Sequence, residues 1–158
     1  MAIFTMKDVF EFAVKIEIKG ENFYEEMAQK FDQAELPALF LGLAKAEREH
    51  RETFQSMAAK LGDFSLLAGP SEEFYAYLEA YTQNLIFTDI QSDAKIAAIQ
   101  DASSALLYAI DKELESVLYY QEVKNIIPAS EHRLIDGIIN EERNHVLLLS
   151  GMKKQING

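Results

Sequence analysis

The chain has 158 residues, 49% of them hydrophobic, and 26 acidic against 15 basic residues give it a formal net charge of −11. That length suits a single domain with a sizeable core. The charge argues against nucleic acid as a partner, the absence of cysteine excludes disulfides, iron–sulfur clusters and zinc knuckles, and no apolar run is long enough for a membrane span.

The N-terminal MAIFTMKDVF lacks the basic-then-apolar build of a secretory signal, so a cytoplasmic location is expected. Thr5 followed three residues later by Asp8 is a capping-box arrangement, and helical periodicity predicts a first helix over about 5–31. After the break DQAELP, Pro37 suits the first turn of a second helix, 36–61, with Gly62 as its C′ residue.

The next stretch, 62–100, is too long for a structureless loop in a compact domain. Ser71 with Glu72 and Glu73 caps a helical FYAYLEAYTQNL, and Ser92 with Asp93 caps a shorter AKIAAIQ. The aromatics here, Phe74, Tyr75, Tyr77, Tyr81 and Phe87, are expected to pack over the bundle or at a dimer surface. A third long helix is predicted over 101–127, ended by Pro128. Ser130 with Glu131 opens the fourth, 130–154.

Spacings of three and four pick out one apolar seam per long helix, each interrupted near its middle. The first reads Phe10, Ala13, Glu17, Gly20, Tyr24, Met27, Phe31, and the second Leu36, Phe40, Leu43, Glu47, His50, Phe54, Met57, Leu61. The third reads Leu106, Ala109, Glu113, Ser116, Tyr120, Val123, Ile127, and the fourth Ile135, Ile138, Glu142, His145, Leu149, Met152, Ile156. Such seams predict an all-α, four-helix bundle with a long helical crossover between the second and third bundle helices.

The interruptions repeat. AVKIEIKGENFYEEM (13–27) aligns without gaps on AIDKELESVLYYQEV (109–123), placing Glu17 on Glu113, Gly20 on Ser116 and Tyr24 on Tyr120. AEREH (46–50) likewise falls on EERNH (141–145). The chain is thus two related helical hairpins, each offering a Glu and then a Glu-x-x-His.

Residues three apart share a helix face, so Glu47 can converge with His50, and Glu142 with His145. Four glutamates buried together without compensation would be costly. Two divalent ions balance them, and a mixed carboxylate–imidazole set suits iron or manganese. A metal-free bundle with these side chains on its surface would require every seam register to be wrong. The candidate ligands are therefore Glu17, Glu47, His50, Glu113, Glu142 and His145. This is the donor set of ferritin-like di-iron carboxylate bundles.

Over the four bundle helices the sequence resembles the rubrerythrin-type branch of the ferritin-like superfamily. The resemblance implies Glu17 and Glu113 as terminal ligands, Glu47 and Glu142 as bridges, and His50 and His145 on one ion each. It implies two iron ions, with manganese as the alternative, and a peroxidase or oxidase that reacts with hydrogen peroxide or O2 in oxidative stress. A homodimer is expected. Rubrerythrin carries a cysteine-bound iron in a rubredoxin domain and this chain has no cysteine, so an external donor such as a rubredoxin-like protein is expected. Ser116 also stands where rubrerythrin has a further glutamate.

Several side chains have two readings. Tyr24 and Tyr120 are candidates either to hydrogen-bond the carboxylates of the opposite hairpin or for ordinary core packing. Glu141 could orient His50, but reads rather as solvated, because Ala46 holds the matching place. Glu21 is a weak candidate for an extra ligand, and His132 reads as a surface histidine. Gly20 and Ser116, both small, are expected to leave room for O2 or peroxide. Two other functions fit the same ligands. One is a ferroxidase or iron-handling cage resembling bacterioferritin, against which stand the long connection and Arg48 at the haem-methionine position. The other is a non-catalytic, metal-stabilised bundle.

Overall fold

A computed structural model describes residues 5–33, 35–61, 71–83 and 89–158, with the side chains of 89–91 left out. Four long helices form the frame: α1 (Met6–Lys30), α2 (Leu36–Leu61), α5 (Ala102–Ile126) and α6 (His132–Asn157). Two short ones, α3 (Glu72–Tyr81) and α4 (Asp89–Ala97), belong to the crossover. No described residue is in a strand, and no helix is long and apolar enough to cross a membrane.

Local signals set the ends. Thr5 and Asp8 form a reciprocal capping box at the start of α1, satisfying donors that the first turn would leave unpaired. Ser71 caps α3 through the Phe74 amide. Asp101 caps α5 through the Ser104 amide. Before α6, Ala129–Glu131 make a 3-10 turn, so the α-helix starts two residues later than the Ser130 signal suggested, and it runs on to Asn157.

Helices pack most closely within hairpins, α1 on α2 and α5 on α6. Between hairpins, Tyr24 of α1 reaches Glu113 of α5 and Tyr120 of α5 reaches Glu17 of α1. The two helices are therefore antiparallel, and the repeat is a two-fold relation in space. Apolar side chains gather in two clusters. One joins the start of α1 (Phe10, Ala13) to the ends of α2 and α5 (Phe54, Tyr120) and the start of α6 (Ile135). The other joins the end of α1 (Met27) to the starts of α2 and α5 (Phe40, Leu106) and the end of α6 (Leu149).

The crossover runs from one cluster to the other. α3 covers the first through buried Leu78, with Phe74 and Tyr81 packed against it. Tyr81 also stacks on Tyr119, with ring centroids 6.0 Å apart. α4 leads to the second, where Ile96 and Ile99 pack. Tyr75 is buried as well, whereas Tyr77 is 46% exposed; Phe87 and Gly62 lie outside the described residues.

Two expectations need correction. Ser92 does not cap a helix: α4 begins at Asp89, and the buried Ser92 hydroxyl lies 3.1 Å from the Tyr108 hydroxyl. A tertiary partner has taken the side chain that looked like a cap. Ile156 does not belong to the core either, being 36% exposed, because α6 continues beyond the last core layer.

Candidate metal centre

Between the two apolar clusters lies a polar layer. Glu17 and Glu142 are fully buried, and Glu47, His50, Glu113 and His145 are no more than 6% exposed. Each comes from the middle of a bundle helix, with about two turns of apolar seam on either side. That placement fixes the backbone of every donor within packed helix, which is what a rigid site requires.

The donors form two overlapping quartets. Glu17, Glu47, His50 and Glu142 make one, and Glu47, Glu113, Glu142 and His145 the other; within each, one donor atom per residue lies within 4.8 Å of the rest. Glu47 and Glu142 are common to both. His50 points its Nδ1 inward, 3.2 Å from Glu142 Oε1 and 3.7 Å from Glu17 Oε2. His145 Nδ1 lies 2.9 Å from Glu142 Oε2 and 3.5 Å from both Glu47 and Glu113. The two rings face each other with centroids 5.8 Å apart.

The donor atoms fit a bound cation. Among the described residues, seven buried side-chain polar atoms lack a hydrogen-bond partner, and six of these belong to this cluster: Glu17 Oε2, Glu47 Oε1, both Glu142 oxygens and Nδ1 of each histidine. Buried polar atoms are rarely left unpaired, and these converge.

Electrostatics say the same. Burial, followed by the charge of Glu142, raises the pKa of Glu17 and of Glu113. Burial with the charges of Glu142 and Glu17 raises Glu47 further. Burial would raise Glu142 too, but His145 and His50 outweigh it and hold it well below the usual carboxylate range. Burial opposes the charged imidazoles, yet Glu142 and Glu17 lift His50 to about 11, and Glu113 and Glu142 lift His145 to about 10. Without a metal, protons do the neutralising.

Around the donors, the tyrosines act as hydrogen-bond donors as well as core residues. Tyr24 donates to Glu113 Oε1 and Tyr120 to Glu17 Oε1, each across the hairpin boundary. Glu141 is not merely solvated: its Oε2 lies 2.8 Å from His50 Nε2 while its side chain stays 57% exposed. The pairing fixes which His50 nitrogen faces inward. Its repeat mate is Ala46, so the two halves differ here.

Glu21 is engaged elsewhere, held by Arg51 and, at 2.7 Å, by Arg48 Nε. Arg48 also reaches Glu25 at 3.1 Å. His132 is half-buried, its Nε2 3.1 Å from the Ile127 carbonyl oxygen. Gly20 has a second role besides the space its size suggested. A Cβ there would lie 2.5 Å from Glu47 Oε2, so the space beside it already holds a carboxylate. Ser116 donates to the Lys112 carbonyl at 2.9 Å.

Room does open beside Gly20 and Ser116, as a cavity of about 260 Å3 bounded by α1, α4 and α5. Glu47 and Glu113 lie at its inner end, and Gly20 and Ser116 in its walls. The two small residues marked the place, and its extent depends on α4, which walls a further side.

The rubrerythrin family profile matches residues 8–153. No curated protein matches the chain significantly. Among solved structures, a Thermotoga maritima protein described as a ferritin-like diiron-carboxylate protein is 23% identical, with a TM-score of 0.72 over 98% of this chain and 97% of that one. A hypothetical protein from Pyrococcus furiosus is 18% identical, with a TM-score of 0.68 over 98% and 91%. At such identities the likeness to either structure is one of fold.

Proposed function

The chain belongs to the rubrerythrin family, and on that footing we propose that it is a binuclear, iron-dependent oxidoreductase that reduces hydrogen peroxide or O2. The observation that carries this reading is the pair of buried quartets sharing Glu47 and Glu142. Glu17 and His50 would complete one metal position, and Glu113 and His145 the other, with Glu47 and Glu142 serving both. Bound there, iron would supply redox electrons and Lewis acidity.

The protein's own groups do the rest. Tyr24 and Tyr120 hold one oxygen of Glu113 and Glu17, leaving the other free to turn inward. Glu141 holds the outer nitrogen of His50 and presents Nδ1 to the cluster. The two apolar clusters keep bulk water from either end of the layer. Reducing one peroxide to two waters takes two electrons and two protons. With no cysteine for an iron–sulfur relay, the electrons come from an external donor such as a rubredoxin-like protein, in the cytoplasm.

The test is elemental analysis with optical spectra after anaerobic ferrous loading and exposure to peroxide. About two irons per chain and prompt, stoichiometric conversion to the ferric form are expected. Failure to retain metal overturns the reading. Retention of iron that peroxide leaves ferrous leaves only a structural metal. Size-exclusion chromatography separates a dimer from a storage cage.

A further inference from the structure

We propose that the cavity between α1, α4 and α5 is a binding pocket for a small uncharged alcohol or phenol, whose hydroxyl points at Glu47 and Glu113. Its volume, about 260 Å3, is several times the roughly 30 Å3 that a water molecule occupies in the liquid, so peroxide or O2 alone leaves most of it unfilled. Ile16 and Phe23 from α1, Ile96 from α4 and the Tyr108 ring from α5 give the lining its apolar part, and Lys19 and Lys112 also border it. The Tyr108 hydroxyl is turned to Ser92, which leaves its ring to the cavity.

The inner end is the reverse. It offers carboxylate oxygens, and the Tyr24 hydroxyl beside them is already spent on Glu113. A ligand that meets acceptors at one end and apolar walls along its body carries a hydrogen-bond donor on an aliphatic or aromatic frame.

The position is one-sided. The cavity reaches Glu47 and Glu113, which belong to the quartet completed by His145, and it does not reach Glu17 or His50. Glu47 is common to both quartets, so it is Glu113 that sets a bound hydroxyl nearer the position His145 would complete. That last step rests on the proposed metal function, whereas the pocket itself does not.

The probe is 4-fluorophenol, followed by fluorine NMR. With the metal-free chain, saturable binding with a Kd on the order of millimolar is expected. Ile96→Trp, which fills the pocket from α4, should weaken it at least tenfold. Leu147→Trp, on the exposed face of α6, should leave it unchanged. Circular dichroism and melting check that both variants fold; if Ile96→Trp does not, Ser116→Val blocks the same space from α5. Absence of saturable binding, or binding indifferent to a folded blocking variant, overturns the proposal. In manganese-loaded protein, with uptake measured by elemental analysis, the bound fluorine should relax faster than in metal-free protein. Unchanged relaxation in a loaded sample places the probe elsewhere and also overturns it. Absence of uptake sinks the metal reading, and the metal-free titration still decides the pocket.

Discussion

At the scale of single residues, the two halves of the centre are copies with one consequential difference. His50 has an acid on its outer nitrogen, Glu141, while the matching place in the other half is Ala46. A carboxylate on the far side of a metal-bound imidazole fixes its orientation and raises its basicity, typically worth 10- to 100-fold in affinity. Glu141→Ala should therefore weaken one of two bound ions by about that factor and leave the second nearly untouched. A calorimetric titration showing equal weakening of both would contradict the assignment. Gly20→Ala tests a contact rather than a bond. The new methyl would displace Glu47 Oε2, the free end of a flexible side chain, so the metal-free protein should fold normally. Both ions should bind more weakly, since Glu47 lies in both quartets. Loss of folding instead would mean that the helix cannot accept the methyl.

At the scale of elements, α2 and α6 each carry a central carboxylate with a histidine one turn on, while α1 and α5 each give one glutamate. Replacing Glu142 by Ala should abolish uptake of both ions, and replacing His145 by Ala should abolish one. Equal, independent losses in metal titrations would exclude a shared carboxylate. These elements were legible because their information is local and periodic. The bounds of α2 follow from Pro37 and the seam that ends at Leu61, and all six donors sit where spacings of three and four put them. What the sequence hid depends on a neighbour from elsewhere in the chain. Ser92 looks like a helix cap until Tyr108 is beside it. Glu141 looks solvated until α2 brings His50 to it. The extent of the cavity is not set until α4 closes one side.

At the scale of the whole molecule, the buried charges set how stability changes with pH. In the metal-free protein, His50 and His145 keep their protons to about pH 11 and 10, against 6.5 when unfolded. Glu17, Glu47 and Glu113 keep theirs above the ordinary 4.5. Over the neutral and mildly alkaline range the folded state thus holds more protons than the unfolded one, so stability falls as pH rises. Glu142, with its lowered pKa, contributes in the opposite sense: its share is present above 4.5 and is lost as pH falls further. The three raised glutamates begin the loss of stability with rising pH at about pH 4.5, so the metal-free melting temperature should be highest near about pH 4.5 and decline above it. Metal at 100 times its Kd adds about 2.7 kcal/mol, roughly 5 to 10 °C for a chain of this size. That gain should shrink toward acid pH, where protons compete for the same atoms. A metal-free protein that melts highest above pH 8 would refute the charge balance.

The polar layer also divides the interior into two apolar halves that share helices but few direct contacts. A core split in this way invites partial opening from either end, each half fraying without the other. An ion held at once by α1, α2, α5 and α6 would act as a rivet through the seam. Amide hydrogen exchange reports such events. In the metal-free protein, α1 amides near Val9 and near Met27 should exchange through separate, sub-global openings. With metal bound, both should merge into a single global event, and exchange that stays in two classes would show that the halves are never joined.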